Sequence, residues 1–374
     1  MAPSPTKDIR VLIVDDSAFM RKVLETILVS DEQLKVVGHA KDGREAVRLA
    51  ESLKPDVITM DINMPGMDGL QATAEIMSTN PRAIVVVSSE SRQGAASTLR
   101  ALELGAIEFV AKPSSGIDLD MQSVREDLLR KVRVAAKVRV VRTASRTVSA
   151  VTNAGSAETP ARPAMVRPRE AIDSAQRFPV VVLAASTGGP ATVMRLAPGF
   201  TRDFPAAVIL VQHMPAAFTT QYAAQLAEFT EIHVKEAENN ESLMPGTFYI
   251  CPGGYHLRVS SAGRIQLDGN SGRIQGYLPN IDLTMESVAA YAGPLSIGVV
   301  LTGMGNDGAS GSRAIKTAGG MVLAQDEATS VIFGMPAEAI KTGAVSQVLG
   351  IDDVYAAIEK QVLAISRVVP VGAR

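Results

Sequence analysis

Runs of consecutive apolar residues recur at 11–14, 36–37, 57–60, 84–87 and 109–110. Between them, at 17–29, 44–53 and 95–104, apolar positions fall at the spacing of one helix face. A strand buried on both faces carries an unbroken apolar run, whereas a half-exposed strand alternates. Strands of the first kind alternating with helices predict a parallel sheet covered on both sides, and a last helix at about 121–140 completes five such units. The pattern resumes with runs at 180–183, 208–211, 248–250, 297–301 and 321–323. Residues 257–267 interrupt it with the alternation of an antiparallel hairpin, turning at Ala262-Gly263. The expected fold class is therefore α/β, with two doubly wound parallel-sheet domains and a β-hairpin inserted in the second.

The stretch between the two patterned regions has a different composition. Residues 121–170 carry 11 basic and 4 acidic side chains, against 13 and 16 in residues 1–113 and 13 and 17 in residues 171–374. Residues 143–176 are rich in Ser, Thr, Ala and Pro, which bury too little apolar surface to offset the entropy of ordering. They are expected to form an extended linker, with a first domain at 8–125, its final helix running to about 142, and a second domain at 177–370. Basic character alone could suggest nucleic acid, but no aromatic residues are interleaved to stack on bases, so no nucleic-acid partner is expected. Of 374 residues one is a cysteine, Cys251, which precludes an intrachain disulfide and points to a reducing, cytoplasmic setting. No apolar run approaches the ~18 residues of a membrane helix, and direct membrane insertion is not expected.

In open parallel sheets ligands gather beyond the C-terminal ends of the strands. Asp15-Asp16 ends the first predicted strand, Asp61 the third, Ser88 the fourth, and Lys112 follows the fifth. Three carboxylates brought together raise one another's pKa unless a cation neutralises them, and Mg²⁺ takes a few carboxylates together with waters and phosphate oxygens. Lys112 adds one fixed positive charge. The set suits phosphoryl transfer to a carboxylate, with Asp61 as nucleophile. Val14-Asp-Asp-Ser17, Met60-Asp-Ile-Asn-Met-Pro-Gly-Met-Asp-Gly69, Val87-Ser-Ser89 and Phe109-Val-Ala-Lys-Pro113 resemble the two-component receiver domain over about residues 8–125. The resemblance implies a flavodoxin-like fold and phosphorylation of Asp61 by a partner histidine kinase. Mg²⁺ would be held by Asp16, Asp61 and the backbone carbonyl of Asn63, with Asp15 acting through the metal's water shell. Ser88 and Phe109 would form the switch pair, alongside Lys112.

The second domain supplies another set of strand ends. Ala184-Ala-Ser-Thr-Gly-Gly-Pro190 follows an apolar strand, and its small residues permit a sharp turn that exposes the Ser186 hydroxyl near a helix N-terminus. The next strand ends in Gln212-His213, and a later one runs into Thr302-Gly-Met-Gly-Asn-Asp-Gly308, placing Asp307 at the same edge. A serine hydroxyl is a weak nucleophile near neutral pH and needs a base, which in turn needs a carboxylate to fix its tautomer. The residue types and order are Ser, His, Asp, unlike the Gly-x-Ser-x-Gly and Ser, Asp, His of the α/β-hydrolases. Taken singly, the Ser-Thr-Gly-Gly turn also suits an anion site, His213 a structural hydrogen bond, and Asp307 a turn cap. Cys251 as nucleophile lies mid-strand without a neighbouring base.

Ser186-Thr-Gly-Gly189, Gln212-His-Met-Pro-Ala-Ala-Phe218, Leu301-Thr-Gly-Met-Gly-Asn-Asp-Gly308 and Ala324-Gln-Asp-Glu-Ala-Thr-Ser330 resemble the chemotaxis protein-glutamate methylesterase family. The match spans about 178–345, on a Rossmann-like domain, and the receiver–linker–esterase order is that family's. It differs at Leu278-Pro-Asn280, where relatives carry Arg-Pro-Ser. The resemblance implies Ser186 as nucleophile, His213 as general base and acid, Asp307 as orienting carboxylate, the Met304 backbone N–H as oxyanion donor and Thr187 as a supporting hydroxyl. It further implies a phosphorylation-activated hydrolase of glutamate methyl esters on chemoreceptor cytoplasmic helices, able also to deamidate receptor glutamines. The expected esterase uses no cofactor and acts as a monomer. The alternative is a response regulator whose second domain is a non-catalytic partner-binding module.

Overall fold

A parallel strand covered by helices on both faces must be apolar at every position, and residues 180–185, Val-Val-Val-Leu-Ala-Ala, have no exposed surface at all. The computed structural model describes residues 8–89, 91–112, 118–138 and 178–368. The expected linker at 143–176 lies outside the described residues.

The N-terminal sheet is built from β1 (Ile9–Val14), β2 (Leu34–Ala40), β3 (Val57–Asp61), β4 (Ala83–Ser88) and β5 (Glu108–Ala111). They run in the order β2-β1-β3-β4-β5, and every pairing is parallel. Helices α1 (Ala18–Leu28), α2 (Gly43–Leu53), α3 (Gly69–Thr79), α4 (Arg92–Glu103) and α5 (Asp118–Ala135) alternate with the strands. The helix starts are written locally. Asp42 accepts the Glu45 N–H at 2.9 Å, and Asp68 and Gln71 form a reciprocal capping box.

The second sheet comprises β6 (Val180–Ala185), β7 (Ala207–Gln212), β8 (His233–Glu236), β9 (Thr247–Ile250), β12 (Ser296–Val300), β13 (Met321–Gln325) and β14 (Gln347–Leu349). Its order is β14-β13-β12-β6-β7-β9-β8, again all parallel. Between β9 and β12 the chain forms a separate antiparallel hairpin, β10 (His256–Val259) with β11 (Ile265–Asp268). Helices α6 (Gly189–Leu196), α7 (Ala216–Leu226), α8 (Ile281–Ala292), α9 (Ala309–Thr317), α10 (Met335–Lys341) and α11 (Ile351–Val368) complete the layers. The α/β class with two doubly wound sheets matches the expectation from sequence. The outer strands β8 and β14 have no counterpart in the apolar runs, because edge strands are partly exposed and carry polar residues. No helix among the described residues is long and apolar enough to cross a membrane.

The order of strands reverses at β6, which lies between β7 and β12. Loops leaving β6 and β12 diverge to opposite faces there, opening a crevice at the C-terminal edge. The two domains also touch. Helix α4 packs against α7, and the Phe109 ring, at the end of the first sheet, lies 4.3 Å from the Phe218 ring of α7. Val331 packs onto the apolar cluster of the N-terminal domain, and Gln225 hydrogen-bonds Glu103.

On the face of the second sheet that also carries Phe218, Phe200 is fully buried with edge-on contacts to Phe204, Phe248 and Tyr355 at 5.2, 5.6 and 5.2 Å. Truncation there leaves a cavity that rigid neighbours cannot fill. Phe200→Ala is expected to destabilise the second domain by about 3–5 kcal/mol, read as a lowered urea midpoint for the transition reporting that domain.

Candidate active site

Ser186 is the first residue after β6, and its N–H donates to the Thr302 carbonyl at 3.0 Å, which fixes it beside the loop that follows β12. The turn into α6 depends on two glycines. Gly188 adopts φ 76°, in the left-handed region, and a Cβ there would lie 2.5 Å from the Val331 Cβ. At Gly189 a Cβ would come 2.1 Å from the Gln212 Oε1. Gln212 ties the same turn to β7, donating from Nε2 to the Ser186 carbonyl at 2.9 Å.

His213 follows β7 directly and reaches back across the sheet edge. Its Nδ1 lies 3.1 Å from the Ser186 Oγ, and its Nε2 lies 2.9 Å from the Asp307 Oδ2. With an ionised Asp307 as acceptor, the proton resides on Nε2 and leaves Nδ1 free to accept from the serine. The nitrogens are used in the opposite sense from the common serine-hydrolase triad, in which Nε2 faces the hydroxyl. Chemically the arrangement is equivalent.

Asp307 is fully buried, so its charge must be met by hydrogen bonds. Besides His213, Oδ2 accepts the Ile281 N–H at 2.8 Å and Oδ1 accepts the Asp282 N–H at 2.9 Å. These are the first two residues of α8, whose unsatisfied N–H groups and dipole favour an anion. The Asn280 side chain caps the same helix by accepting the Leu283 N–H at 3.0 Å. A reciprocal clasp closes the structure, with Asp282 Oδ1 accepting the N–H groups of Gly308 and Gly311 at 2.9 and 2.7 Å.

The three residues expected as a triad from their strand ends are thus within hydrogen-bond reach of one another. The Gly303-Met304 backbone lies against the serine, since a Cβ on Gly303 would be 2.8 Å from the Ser186 Cβ. The buried Thr187 Oγ1 has no hydrogen-bond partner among the described residues, while the Thr187 carbonyl accepts the Thr302 hydroxyl at 2.9 Å. Cys251 is fully buried, and burial pushes its thiol far up, so it is not a nucleophile.

Several contributors were not singled out from sequence. Tyr277 stacks on the His213 ring at 4.5 Å. Gln325 Oε1 accepts the Thr302 N–H at 2.8 Å and steadies the loop behind Ser186. Asp282 and Asn280 hold Asp307. Of these only Gln325, the last residue of β13, lies on a strand end, and each acts through a neighbour far away in sequence.

At the edge of the first sheet, ligand atoms of Asp15, Asp16 and Asp61 lie within 4.8 Å of one another. An all-oxygen set of this kind fits a hard divalent cation such as Mg²⁺. Lys112 Nζ bridges Asp15 Oδ2 at 2.9 Å and Asp61 Oδ2 at 2.7 Å. Burial pulls the Lys112 ammonium down, but Asp61 and Asp15 outweigh it and hold the group above its ordinary range. Burial lifts the Asp61 carboxyl, and the Asp15 charge adds to that, against the hydrogen bond from Lys112. One ammonium does not neutralise two buried carboxylates. The Asn63 N–H donates to Asp61 Oδ1 at 3.4 Å. Ser88 donates to the Gly94 carbonyl at 3.2 Å, and Phe109 is buried against Phe218.

Comparison with known proteins agrees with both halves. A family described as CheB methylesterase matches residues 181–358, and the response regulator receiver domain matches residues 11–123. The chain is 41% identical to the protein-glutamate methylesterase/protein-glutamine glutaminase of Symbiobacterium thermophilum, over 97% of this chain and 99% of the relative. It is 40% identical to the Pyrococcus horikoshii protein of the same name, over 96% and 95% of the two chains. The crystal structure of the Thermotoga maritima CheB methylesterase catalytic domain is 37% identical, with a TM-score of 0.48, covering 50% of this chain and 99% of that one.

The clasp carries a pH signature. Burial, aided by the Asp307 charge, raises the Asp282 carboxyl to about 6 from 3.8, although the Gly311 and Gly308 N–H groups oppose the shift. The native state therefore binds this proton more tightly than the unfolded chain. The stability it contributes is present below about pH 4 and lost as pH rises through about 6. Asp282→Asn keeps the Oδ1 acceptor and removes the charge. Thermal melts from pH 4.5 to 8 are expected to show the wild type losing Tm relative to the variant, with the gap complete above about pH 7.

Proposed function

The chain belongs to the receiver-linked chemotaxis methylesterase family, and from that premise we infer that Ser186, His213 and Asp307 carry out its esterase chemistry. The substrate is a glutamate methyl ester on the cytoplasmic helices of a chemoreceptor. Ser186 Oγ attacks the ester carbonyl while His213 Nδ1 takes its proton. Asp307 stabilises the imidazolium through Nε2–H, and the two N–H groups at the α8 N-terminus hold its carboxylate in place. The Met304 N–H and the turn at the start of α6 would donate to the oxyanion. Collapse of the tetrahedral adduct breaks the C–OCH₃ bond, His213 returns the proton to the leaving oxygen, and methanol departs. Water then attacks the acyl-serine with the same base, releasing glutamate. A receptor glutamine follows the same course with ammonia as leaving group.

The observation that carries this reading is the continuous hydrogen-bond chain at 3.1 and 2.9 Å through His213. A partner-binding module has no use for an imidazole held between a hydroxyl and a buried carboxylate.

Regulation rests on the contact between the domains. Asp61 is the phosphoacceptor, supplied by a chemotaxis histidine kinase. Asp16, Asp61 and the Asn63 carbonyl would hold Mg²⁺ with Asp15 supporting, and the ion when bound offsets the negative charge of the phosphoryl oxygens. Lys112 pairs with the phosphorylated carboxylate. Ser88, released from the Gly94 carbonyl, turns toward the new anion and draws on the start of α4, the helix that packs against α7. Val331, above Gly188, and Phe218, five residues beyond His213, are both covered by the N-terminal domain. In that docked state Ser186 is buried, and phosphorylation weakens the docking.

Methanol release from methylated receptor, with and without a small phosphodonor plus Mg²⁺, tests the assignment. Phosphodonor is expected to raise the rate. Ser186→Ala is expected to lower it on the order of 10³-fold or more, and a rate that survives the change rejects the mechanism. Phe218→Ala removes a ring from the docked interface and is expected to raise activity in the absence of phosphodonor, by a factor of about 5–10, narrowing the phosphodonor response. An unchanged basal rate argues against occlusion through this contact.

A further inference from the structure

The two hydrogen bonds of His213 lie in the plane of its ring and resist rotation within that plane. They do little against tilting out of it. One face of the imidazole is covered by Tyr277, with ring centroids 4.5 Å apart and planes 14° from parallel. We propose that Tyr277 is a positioning residue for the hydrolytic reaction, holding the His213 plane in line with Ser186 and Asp307 and stabilising the positive charge that the ring acquires. The proposal rests on the reading of Ser186, His213 and Asp307 as the esterase triad.

Tyr277 is itself built into place. Reciprocal backbone hydrogen bonds join it to Ile274, each 3.0 Å, across a two-residue turn in which Gln275 and Gly276 adopt φ 53° and 87°. Its hydroxyl lies close to the backbone N–H of Asn306, one residue before Asp307. Gly305 leaves room for that contact, because a Cβ there would lie 2.0 Å from the Tyr277 hydroxyl. The segment is clamped from beneath by His256, fully buried, whose Nε2 lies 2.7 Å from the Gly272 carbonyl and whose Nδ1 accepts the Asn280 N–H at 3.1 Å. Asn280 caps α8, the helix that holds Asp307. Tyr277 and Asp307 are thus fixed to one scaffold on either side of the imidazole.

The electrostatics favour the same role. The π face of a tyrosine attracts a cation more strongly than a neutral ring. His213 is neutral before reaction and cationic once it has taken the serine proton, so the stack strengthens toward the transition state. Binding that grows along the reaction coordinate raises kcat and leaves KM alone. Burial, then the nearby Asp307 charge, pushes the Tyr277 phenol up, so it stays neutral through the working pH range. Arg130 of α5 and Asp282 also act on that phenol.

The test uses the full chain, activated with a small phosphodonor and Mg²⁺, and initial rates of methanol release over a range of methylated-receptor concentrations. Tyr277→Leu has comparable bulk but no π face. It is expected to lower kcat by about 5–30-fold with KM within about two-fold of wild type. Tyr277→Phe keeps the ring and is expected to recover at least about a third of wild-type kcat. A Leu variant with wild-type kcat overturns the proposal, as does a loss confined to KM. A Phe variant that retains less than about a third of wild-type kcat overturns it too, since the hydroxyl would then be the active feature, and this measurement against the wild type stands even if the Leu variant fails to fold. Absence of methanol release from the wild type, or release undiminished by Ser186→Ala, would instead strike the triad assignment on which the proposal rests.

Discussion

A carboxylate with no exposed surface survives inside a protein only if hydrogen bonds replace its water, and Asp307 has three such partners. Two are N–H groups at the start of α8 and the third is the imidazole of His213. Helix geometry makes the first two unavoidable donors, since nothing within the helix can accept from them. The carboxylate is therefore fixed in position before the substrate arrives. The orientation of His213 follows from that fixed carboxylate, and the environment of Ser186 follows from His213.

The two halves of the molecule apply one architectural rule to different chemistry. A parallel sheet collects strand ends at one edge, so residues distant in sequence become neighbours without long excursions of the backbone. In the first domain that edge gathers Asp15, Asp61 and Lys112 into a charged cluster. In the second it gathers a hydroxyl, an imidazole and a carboxylate, with glycines admitting the close approaches. Gly188 and Gly303 matter because the backbone passes within van der Waals contact of Val331 and Ser186.

Most of this arrangement is legible in the amino-acid sequence for a physical reason. Unbroken apolar runs mark central parallel strands, and the first polar residue after each run lies on the ligand-binding edge. Ser186 satisfies that description, Asp61 follows a run interrupted only by Thr59, and His213 stands one residue beyond Gln212. Strands β8 and β14 escape because an edge strand is not apolar throughout; Lys235 on β8 instead forms ion pairs with Glu238 and Glu241. Tyr277, Asn280 and Asp282 escape for a different reason. They belong to the path from the hairpin into α8, whose course depends on the buried His256 and on packing against the loop after β12. No periodicity encodes such an encounter.

The Phe109–Phe218 contact has a reciprocal consequence. A switch ring cannot be committed to the interdomain surface and also be free to repack around a phosphorylated carboxylate. Any free energy by which phosphorylation loosens the esterase half must equal the free energy by which loosening favours phosphorylation. On the function proposed above, a receptor helix in the cleft would compete with the receiver for the same face. Substrate abundance would thereby be written into the phosphorylation equilibrium of Asp61, and the enzyme half would inform the signalling half as much as it obeys it.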